Sequence, residues 1–432
     1  MSLLLIFVAV LFLVFLSCSF KRTSMSICSP LALLIGFAVV VTTGCSGTES
    51  PAPRQTVNLG ALLDMNAENG LATKAAIELA IEDLNRYAIT AGRTVSFTCS
   101  YADTRMDATE AQNQLKGMYQ QGISMFVGGP YSSSELQAIA PFVNQNPIAL
   151  INTNSTAIGL NHAGSHIYRI ITDDSFQAKA LVRAVTTRGV KAIIPIVRDD
   201  VWGNSLLQNF TARFVSEGGI VYPGAVYDPS ENSFTNQVNT VNTQVNEAIA
   251  AYGAANVAVM AFTFNEITGI MTKASTFQSL GAVKWYGCDG NSQLKEMITD
   301  PIIAGFAVKT EFMAPMMAIG WTLYTPPFTT QLSSKIVAQT GITPDIYVLS
   351  AYDATFIMGL AYLQVGSADM DKINAMIPLI SSTYDQMGIS RQLNVNNDLL
   401  QANYIFWNIL QNPNGYYWGG YATYWYDIDV FA

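Results

Sequence analysis

The sequence contains only two histidines in 432 residues, and charged residues make up just 12% of the chain. His162 and His166 are separated by Gly164 and Ser165, a composition typical of a loop rather than of a helix that aligns two metal ligands. No GxSxG, HExxH or GxxxxGK[ST] motif occurs. These absences argue against a metalloenzyme, a serine hydrolase and a P-loop enzyme. No cofactor is implied by any motif.

Cysteine is also rare. Three of the five cysteines, Cys18, Cys28 and Cys45, lie within the first 45 residues, which leaves Cys99 and Cys288 for the rest of the chain. No CxxC spacing occurs. The chain is therefore neither a disulfide scaffold nor a zinc module of the CxxC type.

The charge balance is acidic, with a formal net charge of −9 at pH 7, and no cluster of basic residues stands out. A nucleic acid is therefore not an expected partner. An acidic protein is also repelled by anionic lipid headgroups, so attachment to a membrane requires an anchor.

The N-terminal region has the composition of an export signal. Apolar residues fill 3–17 and 29–43, Lys21 and Arg22 lie between the two runs, and the second run ends at Gly44-Cys45. This ending resembles a bacterial lipoprotein box, which implies that 1–44 is a leader and that Cys45 carries lipid. Two explanations of the first run stay open: translation starts further downstream, or 3–17 is a membrane segment of marginal length. The polar, proline-containing residues 45–55 are predicted to form a tether.

From residue 56 onward, short apolar runs alternate with segments of helical periodicity, which predicts parallel β-sheets covered by helices. The alternation restarts near residue 172, so two α/β lobes are a better interpretation than one very wide sheet. An Asn-Gly pair at 414–415 predicts a hairpin near the C-terminus. Cys99 and Cys288 fall in different predicted lobes, so we expect both thiols to be free.

Several motifs occur in the order typical of the branched-chain amino-acid-binding family of periplasmic solute-binding proteins, and together the chain resembles that family after the tether. The resemblance implies an α/β fold of two doubly wound lobes with parallel central sheets, joined by a three-strand hinge, with a ligand cleft that closes by hinge motion. It places the first lobe at 56–171 and 307–390, and the second at 172–306 and 391–432. The motifs are GALLD (60–64), AAIELAIEDLN (75–85), SYADTRMD (100–107), FVGGPYSSS (126–134), YRIITDDSFQ (168–177), RDDVWGNSLL (198–207), WYGCDG (285–290) and SAYDA (350–354).

In the first lobe, the resemblance implies ligand contacts from two loops. Ser133 and Ser134 follow a Gly-Gly-Pro turn and open a helix, whose free N–H groups suit a carboxylate. A serine that only caps the helix is the alternative. Asn154, Ser155 and Thr156 follow the next strand and match the second contact loop, although a polar turn without ligand is equally consistent with them.

In the second lobe, Trp202 replaces a common tyrosine and is expected to cover the ligand, with buried core packing as the alternative. Phe262 and Phe264 end a strand that is predicted to point at the cleft, and we expect one of them in the core and one at the ligand. Asp289 is expected to bind an ammonium group. Its alternative is a turn aspartate. Tyr352, on the SAYDA helix, is either a wall of the site or a core tyrosine.

These features predict an exported, lipid-anchored binding protein that captures a small amine-bearing ligand, an amino acid or a related compound. The expected partner is an ABC permease in the membrane. A ligand-sensing lipoprotein that signals to a receptor or regulator is the alternative. No nucleophile–base pair is recognisable, so we do not expect an enzyme.

Overall fold

The computed structural model describes residues 55–318, 326–388 and 390–432. The predicted leader (1–44), Cys45 and all of the predicted tether except Gln55 lie outside the described residues. Gln55 is the first residue of β1, so the first strand begins one residue before the predicted lobe boundary.

The first sheet consists of five parallel strands in the order β2-β1-β3-β4-β5. The helices between them cover its faces, as expected when parallel strands are joined by helical crossovers. The elements are β1 (Gln55–Leu63), α1 (Glu68–Thr90), β2 (Val95–Asp103), α2 (Ala108–Gln120), β3 (Met125–Gly128), α3 (Ser133–Gln145), β4 (Ala149–Asn152) and β5 (Ile167–Arg169).

The second sheet has nine strands, and its central strands are parallel. Every residue of β9 (VAVMAF) is buried, which is typical of a strand covered on both faces. The elements are α4 (Asp174–Thr187), β6 (Ala192–Arg198), α5 (Val201–Ser216), β7 (Ile220–Val221), β8 (Ala225–Tyr227), α6 (Thr235–Tyr252), β9 (Val257–Phe262), α7 (Ile267–Ala274), β10 (Lys284–Tyr286), α8 (Glu296–Thr299), α9 (Pro301–Lys309) and β11 (Met313–Met317).

Three antiparallel C-terminal strands complete this sheet: β12 (Tyr404–Asn412), β13 (Gly415–Trp425) and β14 (Val430–Phe431). β12 and β13 form a hairpin in which Asn412 pairs with Gly415, at the turn that the Asn-Gly pair predicts.

One boundary of the sequence interpretation needs correction. Residues 307–390 were assigned to the first lobe, but β11 pairs with β10 and β12 and so belongs to the second sheet. The reason is that α9 and β11 form one more helix–strand unit after β10, which carries the second sheet further along the chain than the interpretation allowed.

The chain then returns to the first sheet with α10 (Pro327–Thr340), α11 (Ile346–Val365) and α12 (Met370–Ser381). Helix α11 packs against α1 and β3. Among the described residues it is the one helix long and apolar enough by composition to cross a membrane, and 89% of that apolar window is buried inside the protein. Its composition therefore fits a core helix, because only an interior position covers all of its faces.

The connections between the lobes lie side by side. After β5 the chain enters α4, and residues 390–403 return from the first lobe to β12. The backbone N–H of Arg169 donates to the Asn397 carbonyl at 2.8 Å, and the Leu399 N–H donates to the Arg169 carbonyl at 2.8 Å. Cys99 lies in β2 and Cys288 follows β10, and both are free, as predicted.

Candidate functional site

The first contact loop precedes α3. Its N-cap is Ser132: the hydroxyl accepts from the Glu135 N–H at 3.2 Å, and the Glu135 carboxylate accepts from the Ser132 N–H at 2.8 Å. Ser133 is buried, and its hydroxyl oxygen accepts from the Ala157 N–H at 3.1 Å. Ser134 is partly exposed. Capping therefore belongs to Ser132, and Ser133 links this loop to the next.

The second contact loop, 154–157, is held by buried polar groups of its own lobe. The Asn152 side-chain oxygen accepts from the Ser155 N–H at 2.8 Å, and the Ser155 hydroxyl donates to the Ser132 carbonyl at 3.0 Å. The Asn154 amide donates to the Gly128 carbonyl at 3.2 Å. Thr156 instead points toward the second lobe, where its hydroxyl donates to an Asp174 oxygen at 2.9 Å.

Two buried aspartates of the second lobe, Asp174 and Asp289, lie where this lobe faces the first, and both form hydrogen bonds with Gln177. The Gln177 amide donates to Asp174 Oδ1 at 2.7 Å, and its carbonyl oxygen accepts from the Asp289 N–H at 2.8 Å. Asp174 and Gln177 lie in the first turn of α4, and Asp289 begins a short turn after β10. Gln177 thus links the carboxyl group of Asp174 to the backbone of Asp289, two residues that are 115 positions apart in the sequence.

A hydrogen bond from the first lobe crosses the cleft to Asp289. The Tyr347 hydroxyl, on α11 of the first lobe, donates to Asp289 Oδ2 at 2.6 Å. A further cross-lobe hydrogen bond joins the Ile158 N–H to the Ser205 hydroxyl at 3.3 Å. With the bond from Thr156 to Asp174, three hydrogen bonds among the described residues link the two lobes at this point.

The charged groups of this cluster are both acidic. Burial raises the pKa of Asp174 well above its ordinary value, and the negative charge of Asp289 raises it further. Burial also raises the pKa of Asp289. Within residues 55–318, 326–388 and 390–432, no lysine or arginine forms a salt bridge with either carboxyl group. A cation bound between them would oppose both shifts, because a positive charge favours the ionised carboxylates.

First-lobe groups add to the negative potential. Burial raises the pKa of Tyr131 to about 12, and the charges of Asp345 and Asp289 contribute to the rise. Asp345 caps α11 by accepting from the Val348 N–H at 2.8 Å. Over the described parts of the chain, no group of three or more His, Cys, Asp or Glu residues is arranged to hold a metal ion.

Aromatic side chains lie beside Asp289. The rings of Trp202 and Phe264 pack together with centroids 4.4 Å apart and planes tilted by 34°, and the Arg198 guanidinium lies 4.8 Å from the Phe264 ring centroid. A Cβ at Gly290 would lie 2.5 Å from Phe264, so the residue after Asp289 packs tightly against this ring. Trp202 is buried in the core of the second lobe, as its core-packing alternative predicts, and Phe264 is half-buried against it, so Phe264 is the ring that lies beside Asp289.

The two phenylalanines lie in different surroundings, because β9 ends at Phe262 and Phe264 lies beyond it. Phe262 is fully buried and packs against Phe210, with ring centroids 5.9 Å apart. It therefore belongs to the core of the second lobe, whereas Phe264 lies at the edge.

Tyr352 is not near the aspartates. It is buried between α11 and α1, its hydroxyl donates to Asp83 at 2.8 Å, and its ring packs against Phe328 and Phe356. The core alternative is therefore the one that the geometry supports. Tyr347, about one and a half turns earlier on the same helix, is the tyrosine that reaches the cluster.

Sequence reasoning missed four members of the cluster: Asp174, Gln177, Tyr347 and Tyr131. A signal existed for the first two, because DDSFQ has its acidic and amide groups three residues apart at a helix start, on one face. Tyr347 and Tyr131 had no comparable signal, since an isolated tyrosine in a helix or turn carries no positional information.

Solved structures share this architecture. A type 1 periplasmic binding protein from Bordetella pertussis superposes with a TM-score of 0.70 at 13% identity, covering 85% of this chain and 100% of that one. The leucine binding protein LivK of Thermotoga maritima gives 0.66 at 18% identity, covering 85% and 98%. The substrate-binding protein LivJ of Streptococcus pneumoniae gives 0.65 at 14% identity, covering 85% and 99%. The two-lobed fold that the motifs predict is confirmed.

Sequence comparison gives a relative and a family. An uncharacterized protein of Methanocaldococcus jannaschii is 25% identical over 408 residues, which cover 86% of this chain and 92% of that protein. Residues 72–404 match the family model described as the receptor family ligand binding region. This match spans most of both lobes and includes the two contact loops and both aspartates. The chain therefore belongs to the receptor ligand-binding-region family, with the type I periplasmic binding fold.

Proposed function

We propose that the protein is an extracytoplasmic solute-binding protein that captures an amine-bearing small molecule, an amino acid or a close relative, between its lobes. The observation that carries this proposal is the pair of buried aspartates, Asp174 and Asp289, whose charges no cation of the described chain balances. Burying a charge without a partner is unfavourable, so an ammonium group from the ligand supplies the missing charge.

The rest of the cleft suits the other parts of an amino acid. The start of α3, at Ser133 and Ser134, offers backbone N–H groups and a positive dipole end to a carboxylate. The half-buried ring of Phe264, with Trp202 packed against it, offers an apolar surface to a side chain. Asp289 and Tyr347 come from different lobes, so a ligand at this point stabilises closure.

The names of the structural relatives support the same class of ligand. The Thermotoga protein is named a leucine binding protein, and the Streptococcus protein was solved with isoleucine. Both are binding proteins, which supports a role without catalysis. Trp202 stands where the family commonly has tyrosine, so the ligand here need not be leucine, isoleucine or valine.

The proposal includes export and delivery. The N-terminal leader and Cys45 indicate an exported lipoprotein tethered to the membrane, and the fold suits delivery of the ligand to an ABC permease. Replacing Cys45→Ala and fractionating cells tests the anchor. Release of the variant from the membrane supports it, and unchanged fractionation together with an unlipidated wild type contradicts it.

The test of the ligand class has two steps. Purified protein is denatured, and any released small molecule is identified by mass spectrometry. The refolded protein is then screened against the common amino acids and simple amines by thermal shift, where a ligand at 100 times its dissociation constant adds about 2.7 kcal/mol of stability. Binding of an amine-bearing compound is the expected result. A tightly bound ligand without an amine contradicts the proposal.

A further inference from the structure

Arg169 is a fully buried arginine at the end of β5, where the chain leaves the first lobe. Its Nε and Nη2 donate to the two oxygens of Asp398 at 2.6 and 2.7 Å. Asp398 lies on the return connection between the lobes, and the Asn161 amide also donates to it at 3.0 Å. The ion pair thus joins two hinge segments in the interior, and the carboxylate offsets the guanidinium charge.

The remaining nitrogen of Arg169 reaches the second contact loop. Nη1 donates to the Ser155 carbonyl at 3.1 Å and to the Ala157 carbonyl at 2.7 Å. These carbonyls lie on either side of Thr156, whose hydroxyl bonds to Asp174. A planar guanidinium with five fixed donors can hold both carbonyls and a carboxylate at once, whereas an ammonium group cannot match this geometry.

We propose that Arg169 is a positioning residue: it fixes residues 155–157 against the hinge and so holds Thr156 in contact with Asp174. Arg169 acts through the loop carbonyls and the Asp398 carboxylate rather than on a ligand. The inference rests on the proposed function only in treating 154–156 as a ligand loop. It goes beyond that function because it couples the geometry of the loop to the return connection of the hinge.

The chain contains a matched control. Arg391 and Asp353 form a second ion pair that is equally buried, with 0% and 1% of the side chains exposed. Arg391 Nη1 donates to the Ile170 carbonyl at 2.9 Å, on the first connection. Its hydrogen bonds go to Asp353 and Ile170 rather than to the loop 154–157. Damage to the Arg391 pair therefore perturbs the hinge without removing a donor from the loop.

Hydrogen exchange of the ligand-free protein tests the inference, read by mass spectrometry on the wild type, Arg169→Lys and Arg391→Lys. We expect peptides that cover 153–158 to exchange about tenfold faster in Arg169→Lys. In Arg391→Lys the exchange rates of the same peptides should stay within about twofold of the wild-type rates. We expect this even if the thermal midpoint of Arg391→Lys falls as far as that of Arg169→Lys. Equal effects of the two variants on 153–158, or no effect of Arg169→Lys, would overturn the proposal.

A second variant covers a failure of Arg169→Lys to fold. Asp398→Asn keeps the shape of the carboxylate, and the hydrogen bonds that Arg169 donates to the loop carbonyls remain. We therefore expect a smaller rise in exchange at 153–158 than in Arg169→Lys. Exchange equal to the wild type contradicts the coupling to the hinge. These measurements need no ligand, so they are independent of the amino-acid screen. If no amine-bearing compound binds but residues 153–158 exchange faster in Arg169→Lys, the proposed function is rejected and the positioning role of Arg169 is kept.

Discussion

The hinge and the cleft differ in whether their buried charged groups have a partner of opposite charge. In the hinge, Arg169 pairs with Asp398 and Arg391 with Asp353, so each buried cation has a buried anion beside it. In the cleft, Asp174 and Asp289 lie together, joined by Gln177, with no basic partner among the described residues. The two regions lie only a few residues apart in the chain, since Asp174 follows Arg169 by five positions.

This difference separates structural charge from functional charge. A paired buried charge is compensated in every state of the folded protein, so it holds the connections in place. An uncompensated carboxyl pair disfavours the empty closed site and favours a site that contains a cation. The comparison therefore predicts that removing a charge from the hinge destabilises the protein, whereas removing one from the cleft stabilises it and abolishes binding.

The largest effect is expected in the hinge. Arg391→Met leaves Asp353 buried without its partner, and breaking a buried pair in this way typically costs about 3–5 kcal/mol of unfolding free energy. Urea unfolding followed by circular dichroism measures it. The exposed pair of Lys372 and Asp369 is the control, because Lys372→Met should leave the unfolding midpoint nearly unchanged. A small effect of Arg391→Met would mean that the hinge pair is not structural.

Ligand binding should depend most on the cleft. Asp289→Asn keeps the shape of the side chain and removes the charge that faces the ligand ammonium, which typically costs about 2–5 kcal/mol of binding free energy. Calorimetric titration with the amino acid found in the screen measures the dissociation constant. Asp427→Asn, at an exposed position after β13, is the matched control and should bind normally. An unchanged dissociation constant in Asp289→Asn excludes this residue from the site.

The sequence predicts the fold better than the site. Helices and strands follow from local residue patterns, whereas the site depends on contacts between residues far apart in the chain. The continuous apolar run at Val257–Phe262 predicts β9 to the residue, since a buried central strand leaves a local signature. Met313–Met317 gives no such indication of which sheet it joins, because pairing with β10 is a long-range contact. Local patterns determine elements, and they leave the partners of the elements open.

The site shows the same limit. Asp289 was identified through a motif, whereas the role of Asp174 depends on the contact of its partner Gln177 with Asp289, 112 residues away, which no local pattern contains. Tyr347 and Tyr352 lie on one helix, and five residues rotate a side chain by about 140° around its axis. That rotation decides which tyrosine faces the cleft, and it becomes known only when the helix is docked on its neighbours.

A smaller and opposite effect is expected for Asp174→Asn in the ligand-free protein. Burial and the charge of Asp289 raise the pKa of Asp174, so the folded state binds a proton more tightly than the unfolded chain does. The destabilising contribution is therefore present at pH 7 and is relieved as the pH falls toward the ordinary carboxyl pKa of about 3.9. We expect the variant to be more stable than the wild type at pH 7, and the difference to shrink at pH 5. Thermal unfolding across this pH range checks both statements, and a destabilised variant at pH 7 would contradict them.

The smallest effects distinguish two tyrosines of α11. Tyr352 bonds to Asp83 in the first-lobe core, so Tyr352→Phe should lower the unfolding free energy by about 1 kcal/mol and leave ligand affinity unchanged. Tyr347 bonds to Asp289 across the cleft, so Tyr347→Phe removes a contact that exists only when the lobes are closed. In the proposed function the ligand binds the closed form, so we expect its affinity to fall by about 1–2 kcal/mol, since hydrogen bonds to charged groups are worth roughly that much. Calorimetric titration and urea unfolding of both variants measure the two quantities separately. If Tyr352→Phe weakens binding and Tyr347→Phe does not, the tyrosine that serves the cleft has been assigned to the wrong face of the helix.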